Sequence, residues 1–278
     1  MSDPVVLITG ANAGIGRATA SALADRGATV ILACRNMIAA ESAVRDIRQT
    51  TGNDAVRCVE IDLADLLSVQ RCANSVAAEG IDVLINNAGG AFPNRGLTAQ
   101  GVEQTFGVNY LGPWALTRIL LPHMTDQPRV INISSVGHRY ARGIRWDDLT
   151  FERGYSPMAA YANAKLAQIL FTSELSRRFD VFSAAVHPGF VGSEFYDNAG
   201  DNRVGHLLQA IARKYAKTPA QGAETSVQLA LTTDIGVPNG GYWSSGKPAK
   251  PSRAAVDQAA AQRLWTLSEE LITEVGLN

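Results

Sequence analysis

The sequence predicts an α/β protein with a doubly wound parallel sheet, arranged as three α/β/α layers in a single domain. The first observation behind this prediction is a regular alternation of short apolar runs with longer helix-like stretches. The second is that the short runs are rich in Val and Ile and apolar nearly throughout, as strands are when both faces of a sheet are covered. The third is that no linker, repeat, charge block or low-complexity tract divides the 278 residues.

The alternation resolves into six strands and five helices. The predicted strands are Val5–Thr9, Thr29–Ala33, Val56–Ile61, Val83–Asn86, Val130–Ser134 and Phe182–His187. The predicted helices are Arg17–Arg26, Met37–Thr50, Leu66–Glu79, Gly101–Met124 and Met158–Arg178. In a doubly wound sheet, ligands bind beyond the carboxyl ends of the strands. We therefore expect the functional residues where these strands end.

Composition and charge exclude several classes of protein. The chain is 46% hydrophobic and its formal net charge is −1, so it has material for a core and gives no reason to expect nucleic acid or an anionic membrane as a partner. Its cysteines, Cys34, Cys58 and Cys72, lie far apart and predict reduced thiols with no metal site. No stretch reaches the ~20 apolar residues that span a bilayer, and no signal peptide is evident. We expect a soluble, cytoplasmic protein.

A glycine-rich turn follows the first strand directly. Gly10, Gly14 and Gly16 separate Val5–Thr9 from the predicted helix Arg17–Arg26. A strand, a glycine turn and a helix N-terminus together form an anion site, because free backbone N–H groups and the helix dipole both favour negative charge. The turn therefore predicts phosphate binding, and the alternative is a tight turn without a ligand.

The end of the second strand carries basic residues instead of an acidic one. An acid at this point holds the ribose 2′-OH of NAD, whereas an arginine accommodates the 2′-phosphate of NADP. Here the acid is missing, Arg35 lies in its region and Arg17 follows the glycine turn. Two guanidinium groups converging on one phosphate favour NADP(H), and the alternative is a pair of solvated surface arginines.

Two further strand ends suit a nucleotide. The carboxylate of Asp62, next to Leu63, could accept a hydrogen bond from an adenine amino group, or it could cap the helix that begins at Leu66. The run Asn87, Ala88 and Gly89 follows the fourth strand with small and amide residues. Such residues allow close approach to a ribose, although they also suit a simple turn.

The chemistry is indicated by the segment YANAK. Tyr161 and Lys165 are four positions apart and share one face of a helix. A nearby ammonium stabilises phenolate and lowers the pKa of tyrosine from about 10, which suits a general acid or base. An exposed helix face is the alternative for this pair alone. Two upstream features support the functional interpretation: Ser135 follows a strand, and Asn109 lies inside an otherwise apolar helix.

These motifs together resemble those of the short-chain dehydrogenase/reductase family over almost the whole chain. The family's glycine turn matches Thr9–Gly16 and its Asn-Asn-Ala-Gly run matches Asn86–Gly89. The phrases FGVNYLG, VINISSVGH and HPGFVGSE, with the C-terminal PSRAAVDQAAAQRLWTLSEEL, are most similar to the retinol-dehydrogenase-like branch. The resemblance implies a Rossmann fold with a cofactor half over about residues 1–135 and a catalytic and substrate-binding half over about residues 136–278.

The resemblance also implies the roles of the site residues. Tyr161 would be the general acid/base, and Lys165 would lower its pKa and bind the nicotinamide ribose. Ser135, the second serine of the family's Ile-Ser-Ser pattern, would hold the substrate oxygen, and Asn109 would anchor a water. In this branch, Cys-Arg after the second strand accompanies NADP(H), with NAD(H) as the lesser alternative, although Ala13 occupies a place that is often basic in NADP-preferring relatives. The residues implied to bind the cofactor are Gly10, Asn12, Gly14, Ile15, Gly16, Arg17, Arg35, Asp62, Leu63, Asn87, Ala88, Gly89, Tyr161, Lys165, Pro188, Gly189 and Val191.

The substrate is expected to be a medium-sized lipophilic molecule with one ketone, aldehyde or secondary alcohol. Membrane-bound relatives carry an apolar N-terminal anchor that this sequence does not show, which argues against a retinoid at a membrane. A candidate substrate wall lies between Ser135 and Tyr161: His138, Arg139, Tyr140, Arg142, Arg145, Trp146 and Tyr155. His138 and His187 are expected to be structural or to line the pocket. A candidate lid, or alternatively a core stripe, contains Phe190, Phe195, Tyr196, Leu207, Leu208, Ile211 and Tyr215.

Two other functions remain open on sequence grounds. One is a redox-neutral reaction on the same fold, such as epimerisation, dehydration or cyclisation, because a fold does not fix chemistry. The other is a catalytically silent NADP(H)-binding regulator, which the intact Tyr161/Lys165 pair argues against. The resemblance also implies a homodimer or homotetramer that pairs through the helices Gly101–Met124 and Met158–Arg178.

Overall fold

The computed structural model describes residues 3–190, 217–232 and 238–276. Within these ranges the strands form one eight-stranded sheet in the order β3-β2-β1-β4-β5-β6-β7-β8. All pairings are parallel except that of β7 with β8. The strands are β1 Val5–Thr9, β2 Thr29–Cys34, β3 Val56–Glu60, β4 Ile81–Asn86, β5 Met124–Ile133, β6 Phe182–His187, β7 Gly241–Ser244 and β8 Lys247–Pro248. The predicted doubly wound parallel sheet is confirmed.

The strand order reverses at β1, which pairs with β2 on one side and with β4 on the other. Val6 is in register with Val30 of β2 and with Val83 of β4. The chain thus winds outward in both directions from β1 and leaves a crevice at the carboxyl ends of β1 and β4. This is where ligands bind in doubly wound sheets.

The helices cover both faces of this sheet. They are α1 Gly14–Ala24, α2 Met37–Thr51, α3 Leu66–Val76, α4 Gly112–Leu120, α5 Pro157–Arg178, α6 Pro219–Leu231 and α7 Gln258–Glu274. Buried side chains of α1, α2 and α6 pack in one apolar cluster, and those of α3, α4, α5 and α7 pack in another. The sheet lies between the two clusters, which gives the expected three α/β/α layers. No helix in these ranges is long and apolar enough to cross a membrane.

The predicted helix from Gly101 to Met124 is wrong as one continuous helix. The segment contains one helical turn, Gln104–Phe106, a π-helical stretch, Gly107–Leu111, and then α4. Pro113 has no N–H, so the carbonyl of Asn109 has no ordinary helical donor there, and the N–H of Gly112 donates to Gly107 O instead. The π-helical stretch is therefore a consequence of the proline, and it contains one of the predicted catalytic residues.

Other boundaries also differ from the prediction. Helix α1 begins at Gly14 instead of Arg17, so the glycine turn supplies the first turn of the helix. Strand β5 begins at Met124 instead of Val130. The elements α6, β7, β8 and α7 were absent from the predicted set, because their short or mixed sequences carry little periodicity.

Helix α7 packs on α4 and α5. The ring of Trp265, which is 1% exposed, lies edge-on to Trp114 with 5.3 Å between centroids, and 6.0 Å from that of Phe171. The hydroxyl groups of Tyr110 and Ser268 lie 2.7 Å apart in the same interface. This face of the two long helices is thus covered within the chain. Pairing of two copies through these helices stays a prediction that would have to use other faces.

Candidate active site

The glycine turn leaves backbone exposed at the start of α1. Gly10 and Gly14 have φ of +65° and +54°, a left-handed conformation that glycine adopts without strain. A Cβ at Gly14 would meet no atom within 4 Å, whereas one at Gly16 would overlap Asn87. Ala13 offers no side chain to cap α1, and the first turn of α1 carries no acid. The free N–H groups of this turn therefore fit a phosphate group.

A threonine joins the glycine turn to the loop after β4. The hydroxyl oxygen of Thr9 accepts hydrogen bonds from the backbone N–H groups of Asn87 and Ala88, both at 3.0 Å. The amide of Asn87 donates in return to Thr9 O at 2.9 Å. Thr9 stands in the family motif, but the sequence alone assigns it no role. In the structure it fixes the two predicted cofactor-binding loops to each other.

The two arginines are not both free. Arg35 is exposed directly after β2, as expected. Arg17, in contrast, forms an ion pair with Asp46 of α2 at 2.7 Å. Both of these side chains are nearly half exposed, and such surface pairs contribute little energy, so a phosphate could displace the carboxylate. The expectation of two unpaired guanidinium groups is corrected for Arg17.

Asp62 turns the chain after β3 but does not cap α3. Its Oδ1 accepts a hydrogen bond from Ala64 N at 2.9 Å, while Asp65 caps α3 by accepting from Leu67 N at 3.0 Å. The alternative that Asp62 caps this helix is therefore wrong. Its neighbour Leu63 is buried and 6% exposed.

One cleft of about 440 Å³ lies at the carboxyl ends of the central strands. The predicted residues that line it are Ile15, Asn87, Gly89, Ser135, Tyr161, Lys165, Pro188 and Gly189. Its lining also contains Val136, Gly137, Met158 and His187, of which sequence reasoning missed the first three. Val191 and all the candidate lid residues except Phe190 lie outside the described residues.

The amine of Lys165 is buried beneath Tyr161. It lies 5.4 Å from the centroid of the Tyr161 ring and donates a hydrogen bond to Ile133 O at 2.8 Å. Burial lowers the pKa of Lys165 from 10.5 to about 7. The sequence argument assumed a permanent ammonium; the structure places its ionisation close to neutral pH.

The two adjacent serines have different surroundings. Ser134 donates its hydroxyl proton to Lys165 O at 2.9 Å, so it holds helix α5 against β5. Ser135 Oγ instead accepts from Gly137 N at 3.1 Å, which leaves its own proton available to a molecule in the cleft. A Cβ at Gly137 would lie 3.1 Å from the Tyr161 ring and 3.4 Å from Ser135 Oγ, so both side chains border this glycine.

Asn109 is fully buried behind Lys165. Its amide donates to Gly90 O and to Thr105 O, both at 2.8 Å, and its Oδ1 accepts from Gly90 N at 3.1 Å. A Cβ at Gly89 would overlap Asn109 Oδ1 and come within 3.3 Å of Lys165 Nζ. Asn109 and Lys165 thus meet on either side of Gly89, which brings all four predicted tetrad residues to one end of the sheet.

The predicted substrate wall is mostly wrong: of its members, the described structure places only Tyr140 in the cleft lining. Tyr155 points away and donates to Phe92 O at 2.7 Å. Arg145 pairs with Asp148 at 2.9 Å, and Trp146 stacks with a surface arginine. His138 is fully buried outside the cleft. Sequence separation alone placed these residues near Tyr161, but the loop turns most of them toward its own interior.

A doubly wound sheet with a phosphate-binding turn after β1 and a Tyr–Lys pair beside a serine defines a dinucleotide-dependent oxidoreductase. The chain belongs to the short chain dehydrogenase family, whose model matches residues 4–203. It uses a nicotinamide cofactor, as expected for this family.

Individual comparisons agree with this assignment. Human retinol dehydrogenase 11 is 40% identical over 275 residues, covering 96% of this chain and 85% of the relative. The crystal structure of an uncharacterised protein from Mycobacterium paratuberculosis has a TM-score of 0.79 and 39% identity over 97% of this chain and 93% of that one. A variant of actinorhodin polyketide ketoreductase, solved with NADPH, shares the fold with a TM-score of 0.67 and 22% identity over 87% and 95% of the two chains. The retinol-dehydrogenase-like branch expected from the sequence is confirmed.

Proposed function

We propose that this protein interconverts a carbonyl and an alcohol on a medium-sized, largely apolar molecule, with NADP(H) as cofactor and Tyr161 as general acid/base. The observation that carries the proposal is the convergence of Ser135, Tyr161 and Lys165 on one cleft. The glycine turn and the loop after β4 border the same cleft, so a dinucleotide and a substrate have adjoining sites.

The rim of the cleft supports a lipophilic substrate. Val136, Tyr140, Met158 and Phe190 all line it, and each of these side chains is at least 40% exposed. Large apolar side chains exposed together around a cavity are typical of a binding site for an apolar molecule. The name of the human relative makes all-trans-retinal and all-trans-retinol the first compounds to test.

The chain's residues can support proton transfer to a carbonyl oxygen. The bound nicotinamide supplies the hydride in the reducing direction. Ser135 donates a hydrogen bond to the substrate oxygen, because Gly137 N occupies the acceptor side of its hydroxyl. Tyr161 then gives its proton to that oxygen, and the resulting phenolate favours the ammonium form of Lys165. Since the pKa of Lys165 is near 7, charging of the lysine and loss of the tyrosine proton are coupled at working pH.

Preference for NADP(H) rests on Arg35. It is exposed at the carboxyl end of β2, where the 2′-phosphate is expected, and no acidic residue stands at this strand end to bind a ribose 2′-OH. Arg17 can add a second contact if its ion pair with Asp46 opens.

The test is turnover of all-trans-retinal by Tyr161→Phe, followed as loss of NADPH absorbance. This change removes the hydroxyl but keeps the ring, so we expect turnover to fall at least ~10²-fold while NADPH binding is retained. Tyr155→Phe is the matched control, because it removes the same hydroxyl outside the cleft and should leave turnover near the parent value.

Three outcomes would contradict the proposal. Near-parent turnover by Tyr161→Phe excludes Tyr161 as the proton donor. Product formation without net NADPH consumption indicates a redox-neutral reaction. NADPH binding without turnover across a panel of lipophilic aldehydes and ketones indicates a regulator.

A further inference from the structure

The peptide unit between Ser135 and Val136 is held at both ends by histidine side chains. The Ser135 carbonyl oxygen lies 2.6 Å from His138 Nδ1. The N–H of Val136 donates to His187 Nδ1 at 3.4 Å. Because a carbonyl oxygen only accepts, His138 Nδ1 carries a proton, and because an N–H only donates, His187 Nδ1 carries none. Each ring is thus restricted to one tautomer.

The tautomer of His138 is also fixed from its other side. Its Nε2 accepts a hydrogen bond from the backbone N–H of Ser252 at 3.0 Å, which leaves the proton on Nδ1. The ring is fully buried and packs edge-on to Tyr242 with 5.0 Å between centroids. A buried imidazole with both nitrogens bonded stays neutral, and burial correspondingly lowers the pKa of His138. His138 does not line the cleft, so it cannot touch a substrate there.

We propose that His138 is a positioning residue that orients Ser135 by holding its backbone carbonyl, with the N–H of Ser252 fixing the tautomer that does so. The inference rests on the proposed function, in which the Ser135 hydroxyl holds the substrate oxygen. The same serine is bonded at its side chain by Gly137 N, so its position depends on the conformation of this short turn. Rotation of the Ser135–Val136 peptide would move the hydroxyl relative to Tyr161. Misplacement of a reacting group by ~1 Å can cost about 10²-fold in rate.

Two near-isosteric substitutions separate the two hydrogen bonds of His138. His138→Asn places an amide nitrogen near the position of Nδ1 and keeps the bond to Ser135 O. His138→Gln places an amide oxygen near the position of Nε2, so it keeps the bond from Ser252 N and loses the bond to Ser135 O. Both variants lose the contact of the ring with Tyr242, so a purely structural role predicts the same effect for both.

The experiment measures kcat and KM for all-trans-retinal, NADPH affinity and thermal stability of both variants. We expect His138→Gln to lower kcat at least tenfold with little change in KM or NADPH affinity, and His138→Asn to stay within about threefold of the parent. Combining His138→Gln with Ser135→Ala should lower kcat no further than Ser135→Ala alone, because the histidine acts through that serine. Equal losses in the two variants, or additive losses in the double variant, would overturn the proposal.

Ser252→Pro provides a second, independent variant should His138→Gln fail to fold. Ser252 has φ of −69°, which proline adopts, so the change removes the N–H donor without altering the backbone or His138. We expect kcat to fall about threefold or more, and an unchanged kcat would count against the role of Ser252. If Ser135→Ala itself keeps full turnover, the proposed function of Ser135 fails and this inference fails with it. If Ser135→Ala is impaired while His138→Gln is not, only the inference fails.

Discussion

Replacing Lys165 by Met removes an amine from the interior of the protein while keeping an unbranched side chain of similar length. Lys165 is 3% exposed, and its amine donates to a neutral carbonyl, that of Ile133. Burial therefore lowers its pKa to about 7, against 10.5 for a solvated lysine. The protein carries this unfavourable charge for function, so its removal should be visible in stability.

The sign of the pH dependence follows from which state binds more protons. Below pH 7 both the folded and the unfolded chain hold the proton, and the full penalty for burying the ammonium is present. Between about pH 7 and 10.5 the unfolded chain holds it and the folded chain does not. The contribution of Lys165 to stability therefore rises with pH by ~1.4 kcal/mol per unit, or roughly 3 kcal/mol from pH 7.5 to 9.5.

Urea unfolding of the parent and of Lys165→Met at these two pH values, without NADPH, measures this difference. We expect the variant to be the more stable protein at pH 7.5 and to lose most of that advantage at pH 9.5. Comparing the two proteins cancels the titration of other groups. Lys247→Met, at an exposed position of β8, is the matched control and should show no pH-dependent difference. A stability difference for Lys165→Met that is the same at both pH values would refute the argument.

Three other predictions follow from the site and the core. Gly89→Ala should lower turnover at least tenfold, because its Cβ would overlap Asn109, whereas Gly90→Ala meets no atom within 4 Å and should be tolerated; equal effects in a turnover assay would contradict this. Trp265→Ala should destabilise the fold by ~3–5 kcal/mol in urea unfolding, since it leaves a cavity among buried rings, and a loss under 1 kcal/mol would mean that α7 is dispensable. Arg35→Asp should narrow the preference for NADPH over NADH, which we expect to be at least about tenfold in the parent, and equal affinities of the parent in fluorescence titrations would exclude the assignment.

The sheet and the first five helices could be predicted because their signals are local. Val5–Thr9 and Phe182–His187 are continuous apolar runs bounded by turns, and the structure gives both with the predicted bounds. The break in the helix around Asn109 could not be predicted from periodicity. Its apolar pattern continues through Pro113, and only the missing N–H of that proline changes the local geometry.

The candidate site divides in the same way between chemistry and support. Tyr161, Lys165 and Ser135 can be found in the sequence because their chemistry restricts the residue type and their spacing follows a helix or a strand end. The groups that hold them are less restricted. Any backbone N–H in the right place could replace that of Ser252, which reaches His138 across 114 positions.

The C-terminal segment illustrates why such support is invisible in one sequence. Ser252 bonds to His138, whose other nitrogen holds the carbonyl of Ser135, and Ser268 bonds to Tyr110, the residue after Asn109. Both contacts join the last part of the chain to a neighbour of a predicted tetrad residue, one at each side of the site. Neither serine lies in the cleft lining, so their effect on turnover must pass through backbone position. The chemistry of this site is therefore encoded in the middle of the chain, whereas part of its geometry depends on residues that come about a hundred positions later.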